Sequence, residues 1–361
     1  MEKNKQSQVK LFLSRMVRQN PFALAVITII LSIIIYFINN NFLATANLRG
    51  GIFIPMVVPG VMLVAVGPLL IGGGIDLSCA AQAAFASVVF AQILTHIPSL
   101  PWPVALILTL LCGAIFGFIN IFLTNVLNFM PFIATIGMAS VYRGVATAWT
   151  LMNDVAINNQ SFNNIGGISY FNKTIPMLFV FMLVLVLIYT YILSNTRFGR
   201  SIYMVGGNQT AARLAGLDPS KIRAILFINS GMISALAGVV WAAQQKRGNA
   251  TNLVDGAPNF VALTSVILGG TAFAGGGGGV LGGVIALLMV QVFDNGLTIL
   301  AQTTAKNGQP LYGSYVNMLL KGLILIVALM LDYVKTKRAQ SALVAAAMSS
   351  ADEKETAKTV V

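Results

Sequence analysis

Three charges stand inside long apolar stretches of this chain: Arg143, Asp294 and Lys321. Each lies about six or seven residues from one end of its stretch, which at about 1.5 Å per residue puts all three roughly 10 Å below the same membrane surface. An unpaired charge at mid-bilayer costs about 2.5–3.5 kcal/mol on insertion scales, so such residues pair or face water. Two arrangements satisfy that demand. The three charges, with Asn295 beside Asp294, can line the outer mouth of a pathway. Alternatively, Asp294 locks to Lys321 while Arg143 reaches outward. Asp76 has a different setting, Gly-Gly-Gly-Ile-Asp-Leu-Ser at 72–78. There Asp76 or Ser78 can cap the helix that follows, with the carboxylate at its positive end; direct contact with a solute is the alternative. Asn120, Asn125 and Asn128 can hydrogen-bond between helices or line a cavity.

A second group of residues points to a partner instead of a solute. Asn195 to Arg223 carries five basic residues (Arg197, Arg200, Arg213, Lys221, Arg223) and one acid, Asp218, between two long apolar runs. A structured basic element there would offer a docking surface. Within it, Ala211, Ala212, Leu214, Ala215 and Leu217 can form a small apolar face with Arg213 to orient it, and Gly216 and Pro219 end the helix. An amphipathic helix lying on the membrane is the competing reading, but such helices usually carry larger apolar residues.

The elements that must position these residues are membrane helices. Hydrophobic residues make up 57% of the 361 and charged ones 9%, against about 25% charged in a typical soluble domain. Mean hydropathy is +0.83. Runs of about 17–25 apolar residues cross a bilayer core, and ten can be read: 22–38, 52–71, 79–97, 102–123, 131–150, 176–194, 224–243, 259–274, 280–300 and 314–334. The expected fold is therefore all-α, a polytopic bundle of about ten transmembrane helices. Five basic residues precede the first run, five lie in 195–223 and five follow the last run. Arg49, Lys173, Lys246, Arg247 and Lys306 fall in the opposite loops. This bias puts both termini in the cytoplasm. It also explains the net charge of +12 through the positive-inside pattern and attraction to anionic membrane lipid, so no nucleic acid is expected. The chain divides into a cytoplasmic segment 1–21, a membrane domain 22–334 containing the loop 195–223, and a tail 335–361 with too little apolar patterning to fold alone. Nothing before Pro21 has the order of a cleaved signal, so the first run is expected to be retained. The loop 151–175 is asparagine-rich and reads as a solvated external loop, or as a surface for an external partner.

Several chemistries find no support. Cys79 and Cys112 lie in apolar surroundings and His96 is the only histidine, which argues against a disulfide framework or metal site. The glycine run 275–279, continued by Gly282 and Gly283, invites a phosphate-loop reading, yet no Lys-Ser or Lys-Thr follows it. It reads instead as a tight turn. Gly113–Gly117 and Gly279–Gly283 have the spacing that lets helix backbones approach closely in lipid. The chain is not expected to be an enzyme or to hold a cofactor of its own.

Five ordered blocks carry a family resemblance: GGIDLS at 73–78, PFIATIGM at 131–138, TRFGRSIYMVGGN at 196–208, AARLAG at 211–216 and GGGVLGGV at 277–284. Across roughly 45–335 the chain resembles the permease subunit of sugar-type ABC importers, the group that includes ribose, xylose and galactose permeases. The resemblance implies two permease copies, a homodimer, forming the pathway, and two cytoplasmic ATP-binding subunits, which hold ATP and Mg, driving it. It also implies an extracytoplasmic solute-binding protein and residence in the bacterial inner membrane. The stretch Gly206, Gly207, Asn208, Ala211, Ala212, Arg213, Leu214, Ala215, Gly216 and Leu217 would be the ATPase-coupling helix. Alternating access, driven by the ATPases, would be the mechanism. Two departures stand out. Cys79, Ala80 and Ala81 follow GGIDLS where the family has a small residue and glycine, and Asn120-Ile121 replaces an Asn-Gly. An ion-coupled secondary transporter, with Asp294 as the coupling carboxylate, is the alternative, though the basic loop would then lack an obvious purpose.

Overall fold

The computed structural model describes residues 20–303 and isolated helical positions between 316 and 330. Lys321, most of the run 314–334, residues 1–19 and the tail from 335 lie outside the described residues. The architecture is an all-α bundle. In chain order the helices are α1 (Asn20–Ile38), α2 (Thr45–Ile71), α3 (Cys79–His96), α4 (Trp102–Val126), α5 (Pro131–Thr150), α6 (Gln160–Gly167) and α7 (Met177–Asn195). They continue as α8 (Arg197–Gly207), α9 (Gln209–Leu214), α10 (Pro219–Gln245), α11 (Asn252–Asp255), α12 (Pro258–Leu268) and α13 (Val280–Thr303).

Among the described residues, seven helices are long and apolar enough to cross a membrane: α1 from Pro21, α2, α3, α4, α7, α10 and α13 to Ile299. Each coincides with an expected run. The fifth run, α5, is a 20-residue helix made less apolar by its threonines, glycines and Arg143. The eighth run, 259–274, differs from expectation. Its helix stops at Leu268 after 11 residues, about 16 Å and roughly half a bilayer core. The remaining residues turn through Gly269 and Gly270 instead of continuing the helix.

Burial follows the distribution of apolar residues. In α2, which is apolar all round, every residue from Met56 to Ile71 is buried, as expected of a helix enclosed by others. In α1, Ile29, Ile30, Ile33 and Phe37 are exposed, the pattern of a lipid-facing helix. The long helix α10 packs against α2, α3 and α4. Its contact with α4 is backbone to backbone: a Cβ on Gly113 would sit 2.5 Å from the Gly231 carbonyl oxygen, and one on Gly117 would strike the Phe227 carbonyl. The expected Gly279–Gly283 pair works differently. Gly279 has open space around it, and the close approach is made by Gly282 against Gly269.

The loop 151–175 is folded. Strand β1 (Val155–Ala156) pairs antiparallel with β4 (Arg247–Gly248), and β2 (Ser169–Tyr170) with β3 (Ile175–Pro176). Asn159 caps α6 by accepting from the Phe162 N–H at 3.1 Å. Phe162 is buried against Phe90, ring centroids 4.6 Å apart. The asparagines that suggested a solvated loop are thus spent in part on helix capping.

Candidate functional site

At the end of α10 remote from the basic segment, a cavity of about 480 Å³ lies among α2, α10, α11, α12 and α13. Trp241, Gln244 and Gln245 of α10, Asn252 of α11, and Asp294 and Asn295 of α13 line it, facing Gly51 to Pro59 of α2. The volume falls in the range of small-molecule sites. An indole face beside several amides and one carboxylate suits an uncharged, hydroxyl-rich solute.

The wall of this cavity is held by side chains that complete the backbone of α2. Pro55 has no N–H to give to the carbonyl of Gly51, four residues earlier. Gln291 Nε2 donates to that carbonyl at 3.0 Å. Gln244 Nε2 donates to the Ile54 carbonyl at 3.2 Å. Asn295 and Asn47 exchange reciprocal amide hydrogen bonds, both 3.0 Å. Residues 48–53 are wound as a π-type turn, a local irregularity of a kind that often marks functional sites.

Of the two arrangements open for the buried charges, the three-charge lining and the lock of Asp294 to Lys321, the described residues bear only on Arg143. Arg143 Nη2 pairs with Asp255 of α11 at 2.7 Å, with side chains 40% and 59% exposed. Asp294 lines the cavity. Arg143 therefore reaches an acid of α11 112 residues on, a partner that no local spacing could indicate. On the same side, Arg247 pairs with Asp154 at 2.6 Å beside the β1–β4 ribbon.

Asp76 and Asn120 belong to a separate, sealed polar cluster. Asp76 is 2% exposed. Its Oδ1 accepts from the Ser78 N–H at 2.9 Å and from Ser78 Oγ at 2.5 Å, directly ahead of α3. Its Oδ2 accepts from Gln82 Nε2 at 3.1 Å and from Ser230 Oγ of α10 at 3.4 Å. Asn120 of α4 donates to both carboxylate oxygens at 3.3 Å and accepts from Tyr142 Oη of α5 at 3.2 Å. The carboxylate thus gathers α3, α4 and α10, and Asn120 ties in α5. Neither Asp76 nor Asn120 lines the cavity.

At the basic end, the sequence expectation of one helix from Gly206 to Leu217 is corrected. Gly206 and Gly207 close α8, the chain extends at Asn208 (φ −158°), and α9 starts afresh at Gln209. Asn208 Oδ1 caps α9 by accepting from the Ala211 N–H at 3.0 Å. Gly216, at φ +82°, ends it in a left-handed conformation that suits glycine. Asp218 then caps α10 by accepting from Ser220 and Lys221 N–H groups at 3.0 and 3.2 Å. The Lys221 N–H, the Ser220 N–H and the Lys221 ammonium together hold the Asp218 carboxyl below its ordinary range. The apolar face is also corrected. Ala212 is buried against the bundle and Leu217 is half-buried, so the exposed residues are Ala211, Arg213, Leu214 and Ala215. Leu214 is 86% exposed.

Residues 52–329 match the family described as branched-chain amino acid transport system, permease component. The chain is 31% identical to the probable ABC transporter permease protein YphD of Escherichia coli K12 over 346 residues, which is 95% of this chain and 97% of that one. It is 33% identical to the D-allose transport system permease protein AlsC of the same organism, covering 73% and 76%. It is 28% identical to the ribose import permease protein RbsC of Bacillus subtilis 168, covering 85% and 91%.

Proposed function

Because this chain belongs to that ABC permease family, whose members are multi-pass proteins of the bacterial inner membrane, we propose that it is the transmembrane subunit of an ATP-driven importer for a sugar or a similar small polar solute. Relatives named for ribose and D-allose support the sugar, as does a cavity offering an indole and amides. The observation that carries the reading is the span of α10. Its 27 residues start at Pro219, next to its cap Asp218 and the exposed α9, and end with Trp241, Gln244 and Gln245 at the cavity. At about 1.5 Å per residue that is roughly 40 Å, the thickness of a bilayer with its interfaces.

In this reading the basic end is cytoplasmic and the cavity faces outward. Two copies of the chain pair with two ATP-binding subunits, which hold ATP and Mg, and a soluble binding protein delivers the solute to the cavity. ATP binding and hydrolysis shift the balance between an outward-open and an inward-open bundle. Leu214, Ala215 and Ala211 seat in the ATPase, and Arg213 orients them. The family assignment takes the place of the secondary-transporter reading, since it gives the basic segment a partner.

The test is co-purification with the cognate ATPase and binding protein, reconstitution in lipid, and ATP hydrolysis and uptake measured across a panel of sugars. One sugar should stimulate both. Leu214→Asp and Arg213→Glu should abolish stimulation in a chain that still folds, because both side chains point away from the bundle. Absence of a complex, together with uptake that follows an ion gradient, would sink the proposal.

A further inference from the structure

Three glycine-bearing turns from distant parts of the chain meet at the basic end with nothing but backbone between them. Gly206, in the last turn of α8, lies so close to Ile71, the last residue of α2, that a Cβ would run into the Ile71 carbonyl. That same carbonyl accepts a hydrogen bond from the Gly276 N–H at 2.8 Å. A Cβ on Gly276, at φ +77°, would lie 2.5 Å from the Gly207 Cα, and one on Gly275 would lie 3.0 Å from the Gly73 Cα. Tyr203 Oη of α8 closes the contact by donating to the Gly278 carbonyl at 2.8 Å. At Gly206, Gly275 and Gly276 the nearest neighbours are all backbone atoms, so no rotamer change there absorbs a displacement. Backbones packed at this distance move together or separate.

The elements leaving this junction lead to the cavity. α2 runs from Ile71 back to Pro59, Pro55 and Gly51, and α13 runs from Val280 to Gln291, Asp294 and Asn295. At the other side, α8 passes through the single extended residue Asn208 into α9. We infer that the backbone junction of Ile71–Gly73, Gly206–Gly207 and Gly275–Gly276 is the transmission element of the transporter. Through it, a displacement of α8 and α9 reaches the two helices that Gln291 and Asn295 lock together across the cavity. The inference rests on the importer reading and adds a second route to α10.

The experiment uses the reconstituted complex of full-length chain, ATPase and binding protein. Uptake per ATP hydrolysed is measured alongside labelling of Asn252→Cys, an exposed cavity residue, by an impermeant maleimide with and without ATP. Labelling of the parent chain, which holds buried Cys79 and half-buried Cys112, is subtracted. Gly276→Ala should lower uptake per ATP about tenfold, a usual size for a coupling between sites, and should remove the ATP dependence of labelling. Tyr203→Phe, which deletes one hydrogen bond and no volume, should lower the ratio about threefold. Gly277→Ala, whose Cβ would meet open space, should match the parent. A merely structural role would reduce the amount of assembled complex without changing the ratio. The inference is overturned if assembled Gly276→Ala and Tyr203→Phe keep the parental ratio, or if Gly277→Ala falls as far as Gly276→Ala. If Gly276→Ala does not assemble, parental behaviour of Tyr203→Phe alone overturns it. A parent complex with no sugar-stimulated turnover at all removes the importer reading, and the junction's role with it.

Discussion

The two ends of the bundle are joined in opposite ways. At the basic end, α2, α8 and the turn before α13 touch through glycine backbone, with the Gly276 N–H on the Ile71 carbonyl. At the cavity end, the same α2 is joined to α10 and α13 by the amide side chains of Gln244, Gln291 and Asn295. Backbone contact has one geometry, set by covalent structure. An amide has several rotamers and two faces to its hydrogen bonding, so it can release one carbonyl and take up another group at small cost. One end is built to hold its shape while the other is built to exchange partners.

The sharpest way to break this contrast is to put bulk into the rigid end. Gly206→Leu drives a side chain into the Ile71 carbonyl and should cost about 3 kcal/mol or more, the upper end of overpacking effects. Recovery of monodisperse protein in detergent should collapse. Asp76→Ala should come next, at about 3 kcal/mol, because it strands the donors of Ser78, Gln82 and Asn120 in a sealed site. Thermal unfolding in detergent measures it, and a loss within error would show that the cluster is already hydrated. At the adaptable end, Gln291→Ala should cost only about 1–2 kcal/mol, because an amide–carbonyl bond beside a cavity can be replaced by water. Its larger effect should be on apparent sugar affinity, read from the concentration dependence of stimulated ATP hydrolysis. If Gln291→Ala proves as destabilising as Gly206→Leu, the two ends do not differ in the way described.

The smallest expected effect is at Asp218. Its carboxyl is held below its ordinary range, so its contribution to the start of α10 is present above the unfolded value, near 3.8, and is lost as pH falls through the folded one. Amide exchange at Ser220 and Lys221 should quicken below about pH 4 in the parent. In Asp218→Ala it should be fast at every pH.

Much of this was legible in the sequence. Seven apolar runs fell on seven helices, since continuous apolarity over about 20 residues leaves few alternatives. The glycine run at 275–279 was readable as a tight turn, and Gly113 with Gly117 as a close approach. The failures have separate physical causes. Apolar composition carries on through Gly269–Phe273 although the helix ends at Leu268, because a glycine pair turns the backbone without altering hydropathy. The face presented by α9 depends on which side of a six-residue helix meets the bundle, and periodicity over so few residues cannot fix that phase. It placed Ala212 outside when it is buried. Arg143, Gln244 and Gln291 have partners 112, 190 and 240 residues away. The sequence announced a need for a partner at Arg143 without saying which, and gave no signal at Gln244 or Gln291.

The bond from Gln291 to Gly51 has a consequence for how the protein is made. Ribosomes add about 5–20 residues per second, so the 240 residues between donor and acceptor take roughly 12–50 s to synthesise. During that interval the proline-interrupted α2 has already left the ribosome, while the glutamine that completes its backbone does not yet exist. Water, a lipid headgroup or an insertion factor must serve the Gly51 carbonyl until the last third of the chain arrives. Biogenesis is therefore the period when this helix is most exposed to error, and final closure of the cavity wall has to await the synthesis of α13.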